Sequence, residues 1–396
     1  MESTQLKRVL SKLSIFTSSH FITSGPGTEL EAFLRDRTSY VACMFHPFYF
    51  SRLRHTFVNI YVRGQLESRL RFRTLPRFGV LNYTRDFILS LVIPLRLKRR
   101  FDFYIGSNPL NAFVGIIMQR LGFARWVIFY KIDYVPIRFS NRMMNALYNQ
   151  IDRLSSRYSD WTWNLAQPMI DERLRRGISL GKQLVVPIGT NFERIQRMHS
   201  QDKARNKLVY MGSLRAGQGI ELAIEAFPRI KATVPDTELL IVGSGPLASK
   251  LKDRVSELGL GDYVSFTGEV PDHSKVEQIL TGCHIGLAPY EPSEDNFTQF
   301  TEPGKVKVYL ACGLPVIITK VPKIAEEIEK RGAGLLISYD SLELSEAVRK
   351  LSCDKEAYAS ARSAAIAFAS EYEWTSVFAR AFGSMLDRTS TRTNDA

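Results

Sequence analysis

From residue 207 onward, short apolar runs alternate regularly with amphipathic stretches. The runs at 207–213, 238–245, 263–268 and 284–290 have the length and apolar content of buried strands, and the stretches around 220–227, 247–258 and 275–280 read as helices. Strand and helix in strict alternation predict a doubly wound α/β domain on a parallel sheet. Most of the strands end in or beside Gly, Pro or Ser, which lets backbone approach a ligand closely. One more such unit lies at 301–319. There Lys305, Val308 and Cys312 share a helical face, Gly313 and Pro315 stop the helix, and 315–319 reads as a buried parallel strand.

The first half is less regular. A strand at 13–20 runs into a Ser/Thr/Gly loop at 21–27, and Thr28 with Glu31 fits a capping box that starts a helix just after Gly25-Pro26-Gly27. Free backbone N–H groups at such an end can receive an anion, which makes Gly25 and Gly27 candidate ligand contacts; a plain turn into a helix fits the same residues. A second strand is expected at 40–45. Residues 46–76 interleave aromatics with Arg52, Arg54, Arg63, Arg69, Arg71 and Arg73, a pattern assigned here to acceptor or membrane contact. Strand, helix and strand return at 102–107, 112–121 and 126–130, which places Asp133 at the carboxyl end of a strand, where open α/β sheets hold ligands. A strand at 184–190 closes this half, and a final helix at 371–386 carries Trp374, Phe378 and Phe382 on one face.

At 396 residues the chain exceeds what one hydrophobic core serves. Two domains are expected, 1–190 completed by a C-terminal helix at about 377–388, and 191–376, with 389–396 as a disordered tail. Charge divides along the same line: residues 1–200 hold 30 Lys and Arg against 13 Asp and Glu, and the remainder 23 against 27. A basic half suits nucleic acid, an anionic membrane surface or a phosphorylated substrate; a solvated arginine-rich surface fits as well. RNA-binding, helix-turn-helix and zinc-finger signatures are missing, so no nucleic-acid partner is expected. The run at 87–95, FILSLVIPL, is about half of what a membrane span needs and is followed by Arg96, Lys98, Arg99 and Arg100. It reads as a helix on an anionic surface or a buried helix with a basic exit, and the second basic patch at Lys7, Arg8 and Lys12 favours the surface. Four scattered cysteines without C-x-x-C spacing and no secretory signal point to a cytoplasmic protein, peripheral on the inner face of the cell membrane.

Five short motifs in one order carry a family resemblance: Met211-Gly212-Ser213-Leu214 with Gln218-Gly219; Ile241 to Pro246; Val264 to Gly268; Leu287-Ala288-Pro289-Tyr290; and Tyr309 to Val316. Over about 184–376 the chain resembles the retaining family 4 (group 1) glycosyltransferases, which implies the GT-B architecture, two Rossmann-like doubly wound domains facing a central cleft. The resemblance implies a nucleotide-diphosphate sugar held against the second domain, a glycan or lipid-linked acceptor on the first, and, in the absence of a D-x-D pair, no metal and no other cofactor. Cleavage of the anomeric bond expels a nucleoside diphosphate whose growing charge needs cations or helix N-termini.

The chain departs from the family pattern at several ligands. Of the E-x7-E pair, the second position is Val308 and the first is Phe300, with Glu302 able to substitute by a local shift; the usual Arg is Ser213 and the usual Lys is Gln218. Lys305 and Arg215 are left as the diphosphate cations, with Glu302 on the donor-sugar hydroxyls, Asp133 lining the cleft, and Gly212, Gln218, Gly219, Gly243, Gly245, Gly268, Pro289 and Tyr290 around the nucleotide. Tyr290 and Tyr309 fit packing equally well, and the glycines fit plain strand-end turns. The missing ligands leave a second reading open, a non-catalytic GT-B-like partner subunit that binds nucleotide sugar or another protein.

Overall fold

The structure, a computed structural model, describes residues 3–21, 25–48, 53–75, 79–132, 139, 141–198, 206–293 and 303–394, the side chains of 389–394 excepted. The chain divides into two compact units, Met1–Pro187 with Thr375–Ala396, and Ile188–Trp374.

Unit 1 holds a sheet of eight strands: β1 (Ser14–Phe21), β2 (Tyr40–Pro47), β3 (His55–Val62), β4 (Gln65–Arg73), β5 (Phe101–Gly106), β6 (Ala124–Lys131), β7 (Trp161–Asn164) and β8 (Gln183–Val185), in spatial order β4-β3-β2-β1-β5-β6-β7-β8. Pairing is parallel from β2 to β8 and antiparallel through β3 and β4. Helices α1 (Ser3–Leu10), α2 (Pro26–Arg35), α3 (Gly79–Arg96), α4 (Pro109–Arg120), α5 (Arg142–Tyr158) and α6 (Gln167–Arg175) complete it.

The β3–β4 hairpin holds Arg63, Arg69, Arg71 and Arg73 of the stretch assigned from the sequence to acceptor or membrane contact. Arg63 and Gly64 have φ of 48° and 84°, the two positive values of a primed two-residue turn that matches strand twist. On β4, Arg69, Arg71 and Arg73 are exposed while Leu70 and Phe72 pack on the core, so the arginine spacing is strand alternation. β4 is an edge strand, and its charges discourage pairing with another chain.

The expected capping box at Thr28 and Glu31 is corrected by one turn. Helix α2 begins at Pro26, where a fixed φ suits the first helical position; Gly25 is its N-cap, and the Thr28 hydroxyl accepts from Gly25 N–H at 3.0 Å. Glu31 lies too far along the helix to cap it and instead accepts from Asn59 Nδ2 at 2.6 Å.

Unit 2 is an all-parallel sheet of β9 (Lys207–Met211), β10 (Glu238–Val242), β11 (Val264–Gly268), β12 (Ile285–Ala288), β13 (Val316–Thr319) and β14 (Gly334–Ile337), in order β11-β10-β9-β12-β13-β14. Its helices are α7 (Ile220–Thr233), α8 (Ala248–Glu257), α9 (His273–Thr281), α10 (Gly304–Ala311), α11 (Ile324–Lys330), α12 (Ser341–Cys353) and α13 (Lys355–Ser370). The inner strands are largely apolar because both faces are covered, whereas the edge strand β11 leaves Ser265 and Thr267 exposed. Leu208, Tyr210, Leu239, Ile241, Leu287 and Ile317 enter one core, and the alternate residues Val209, Leu240, Val242, Ala288, Val316 and Ile318 enter the other.

Helix α14 (Trp374–Asn394) brings the chain back to unit 1. Phe382 is fully buried, stacks on Phe33 at 5.9 Å and meets Trp163 edge-on at 5.1 Å, which gives the four-residue spacing its meaning. The helix runs through 389–394, expected as a tail, because that polar segment contains no Gly or Pro to end it.

Candidate functional site

In unit 2 the strand order reverses between β9 and β12, since β9 leads outward through β10 and β12 leads outward through β13. A crevice at the carboxyl ends of strands flanking such a switch point is where doubly wound sheets bind ligands. The predicted residues gather there: Gly212, Arg215, Gln218 and Gly219 on the β9–α7 loop, Pro289 and Tyr290 just after β12, and Lys305 in the first turn of α10.

Lys305 is the centre of the group. Its Nζ donates to Gln218 Oε1 at 3.3 Å and lies 4.4 Å from the ring centres of both Tyr210 and Tyr290. Desolvation between these rings, with the Arg215 charge nearby, pulls its pKa down to about 7. Burial pushes the Tyr290 phenol up, and its Oη has no hydrogen-bond partner among the described residues. A cation held over two ring faces in the first turn of a helix is arranged to meet an anion.

The loops around Lys305 are fixed by close backbone packing. Gly219, at φ 74°, is the N-cap of α7, and a Cβ there would stand 1.6 Å from Pro289 O. A Cβ on Gly243 would meet Gly212 O at 2.0 Å, and one on Gly245 would meet Leu214 O at 2.4 Å. These three glycines let the strand-end loops nest together. Gly268 donates nothing to that packing from a Cβ position, which faces open space, but its carbonyl accepts from Gly243 N–H at 3.0 Å. Arg215 is exposed. Asp133 and Glu302 lie outside the described residues.

Gly25 and Gly27 are placed in unit 1, where they line a cavity of about 530 Å³. Beside it is a polar network that motif comparison passes over, because its members lie on β1, β2 and α3. His20 Nε2–H donates to Asp86 Oδ2 at 3.1 Å, and Asn108 Nδ2 donates to His20 Nδ1 at 2.6 Å, which together fix the tautomer. His46 Nδ1 approaches Asp86 Oδ1 at 3.2 Å, and Arg85 pairs with the same oxygen. Burial works to raise the Asp86 pKa, but the hydrogen bonds from His20 and His46 reverse it and hold the carboxyl well below its ordinary value. Burial also lowers the His46 pKa.

A second residue missed in the sequence is Lys307, fully buried on α10, whose Nζ donates to Ile188 O at 2.7 Å and lies 3.6 Å over the Tyr372 ring. Its position two residues after Lys305 was the available signal. It anchors the donor-side helix to the first residue of unit 2, beside the pairing of Thr190 N–H with Tyr372 O at 2.8 Å.

Residues 205–354 match the family model of glycosyl transferases group 1. The "GDP-mannose-dependent alpha-(1-6)-phosphatidylinositol monomannoside mannosyltransferase" of Mycolicibacterium smegmatis is 31% identical over 116 residues, 28% of this chain and 29% of that protein. The "Phosphatidylinositol N-acetylglucosaminyltransferase gpi3 subunit" of Schizosaccharomyces pombe is 35% identical over 158 residues, 39% of this chain and 32% of that protein. The matched segments thus span about a third of these relatives. Among solved structures, Anabaena HepE in complex with UDP aligns with a TM-score of 0.70 at 15% identity, covering 95% of this chain and all of that one. WaaG, a glycosyltransferase involved in lipopolysaccharide biosynthesis, aligns with a TM-score of 0.63 at 14% identity, covering 93% of this chain and 98% of that one.

Two parallel-sheet α/β units with these neighbours define a GT-B fold. Within it, residues 205–354 are the segment similar to the group 1 glycosyl transferases.

Proposed function

We propose that the protein is a metal-independent, retaining glycosyltransferase that moves a sugar from a nucleotide-diphosphate sugar to a glycan or lipid-linked acceptor in cell-surface polysaccharide or glycolipid synthesis. The observation that carries the reading is Lys305, a desolvated cation at the switch point of the unit 2 sheet. Lys305 and Arg215 bind the diphosphate, the loop backbone at Gly212 and Gly219 frames the nucleotide, and Glu302 takes the donor-sugar hydroxyls. As the anomeric bond breaks, charge grows on the leaving diphosphate, and a lysine already stripped of water stabilises it without further reorganisation. Asp133 is kept as the cleft-lining candidate named from the sequence. The mannosyl and N-acetylglucosaminyl relatives, named for a phosphatidylinositol monomannoside and for phosphatidylinositol, support a lipid-linked acceptor, and the basic first half supports work at the inner, anionic face of the cell membrane.

Calorimetric titration of UDP-, GDP- and ADP-sugars tests the reading. One of them binds the wild type, Lys305→Ala weakens it at least tenfold, and turnover survives a chelator. Full affinity in Lys305→Ala overturns the role of Lys305; binding without turnover on any glycan or lipid acceptor favours the non-catalytic partner subunit.

A further inference from the structure

The sheet of unit 2 ends on two edges that differ in kind. At one of them β11 turns Ser265 and Thr267 to solvent. At the other, β14 reads Gly-Leu-Leu-Ile, without a charge, a proline or a shift of register against β13. Leu335 and Leu336 are half-buried, and among the described residues no backbone hydrogen bond reaches 334–337 from outside the sheet. The edges of unit 1 carry ordinary safeguards, arginine alternation on β4 and a length of three residues on β8. An apolar edge without such a device is a template for another strand.

A groove of about 520 Å³ runs along this edge, with Leu335, Leu336 and Ile337 on one side and α12 on the other. Helix α12 turns Glu343, Glu346 and Lys350 into it, a face built on three- and four-residue spacing, with Arg349 alongside. Glu343 Oε2 accepts from Ser338 N–H at 2.7 Å, which pins the start of α12 to the Ile337 end of the strand. The groove is therefore acidic at that end, through Glu343 and Glu346, and basic toward the Gly334 end, through Arg349 and Lys350; all four side chains are exposed. Antiparallel pairing reverses one strand against the other, so a two-fold axis normal to the sheet lays a second β14 on the first with both α12 helices on the same face. In that arrangement the acidic end of each groove meets the basic end of the other. The edge complements itself in backbone groups, in apolar side chains and in charge order.

We infer that the β14 edge of unit 2 is an interface for a second copy of this chain, pairing β14 with β14 antiparallel and joining two six-stranded sheets into one. The strand is four residues long and exposed ion pairs add little energy, so the dimer is weak and concentration-dependent, and the charges set its register more than its strength. Pairing at this edge needs no nucleotide sugar and goes beyond the proposed transfer reaction.

Sedimentation velocity of the full-length chain over a concentration series tests the interface. The wild type associates to a dimer, and more weakly as salt is raised. Glu343→Gln with Glu346→Lys makes the groove basic throughout while keeping an acceptor for Ser338 N–H, and Arg349→Glu with Lys350→Glu makes it acidic throughout. Each variant alone self-associates about tenfold more weakly, and an equimolar mixture of the two recovers the association of the wild type, which damage to the fold of either chain would not produce. Amide hydrogen exchange of 334–337 slows as the wild type dimerises, because the strand edge becomes paired. A wild type that stays monomeric at every concentration overturns the inference, as does association that survives both charge reversals, a mixture that stays monomeric, or exchange at 334–337 that is indifferent to dimerisation. If either paired variant does not fold, Glu346→Lys alone and Lys350→Glu alone are compared and mixed in their place.

Discussion

Raising the pH should weaken donor binding through Lys305. Its pKa of about 7 means that in the free protein the side chain is half charged near neutrality and mostly neutral at pH 9. A bound diphosphate supplies the opposite charge that the site lacks and returns the pKa toward the ordinary lysine value, so binding takes up a proton. Affinity then falls with a slope that approaches tenfold per pH unit above 7, about fiftyfold and ~2.3 kcal/mol in all between pH 7 and 9. Facing groups are Tyr210, Tyr290, Arg215 and Glu221; burial pushes both phenols up, so they stay neutral over this range. The assay is calorimetric titration of a nucleotide sugar, whose diphosphate diester stays fully ionised from pH 6 to 9, in buffers of different ionisation enthalpy to count protons. A second readout is stability. Because the folded pKa lies below the unfolded one, folding loses stability as pH falls from the ordinary lysine value through about 7, and Lys305→Met should raise the unfolding midpoint at pH 6, by at most ~5 kcal/mol given the partial exposure of the side chain. A flat affinity from pH 6 to 9, or the same slope in Lys305→Met, refutes the reasoning.

Gly219→Ala should destabilise unit 2 by at least ~2 kcal/mol and lower donor affinity, because a Cβ cannot stand 1.6 Å from Pro289 O and φ is positive; chemical denaturation measures it. Asp86→Asn should cost about 3 kcal/mol by stranding His20, His46 and Arg85, read from the unit 1 transition. In the wild type that transition should weaken as pH falls below about 6.5, where the unfolded chain protonates His46 while the folded protein keeps it neutral, and again below about 4, where the unfolded chain protonates Asp86 while the folded protein keeps it ionised; both groups have folded pKa values below their unfolded ones, so acid removes their contribution. Phe382→Ala should cost about 3–5 kcal/mol in unit 1 and leave nucleotide-sugar titration of unit 2 unchanged.

How much of this could be read from the sequence depended on whether a residue's partners were local. The strands and helices of unit 2 were legible because both faces of its sheet are buried, which makes the strands continuous apolar runs. The β3–β4 hairpin was not, although Arg63-Gly64 is a usable turn signal, because arginine alternation on an edge strand looks like a binding surface. The helix at 79–96 was seen as an apolar run with a basic exit, but its orientation was out of reach. Asp86 and Ser90 have polar partners on β1 and β2 and Asn82 bonds the Leu75 backbone, and nothing in the helix itself says that its polar side turns inward.

The donor site shows the same limit from the other direction. Position by position, Gln218 counts as a lost lysine, and with Ser213 and Val308 that loss suggests a binding site without chemistry. In space the loss is offset, because Lys305 from the α10 turn places its Nζ 3.3 Å from Gln218 Oε1. What a leaving diphosphate requires is a positive charge at a point, not a lysine at a particular place in the chain. The relocation also changes the character of that charge. Placed between Tyr210 and Tyr290, Lys305 titrates near neutrality, and in the proposed reading donor binding is sensitive to pH. The double variant Gln218→Lys with Lys305→Met should therefore restore donor affinity while flattening its pH dependence; if it binds no better than Lys305→Met alone, the two positions do not serve the same point in space.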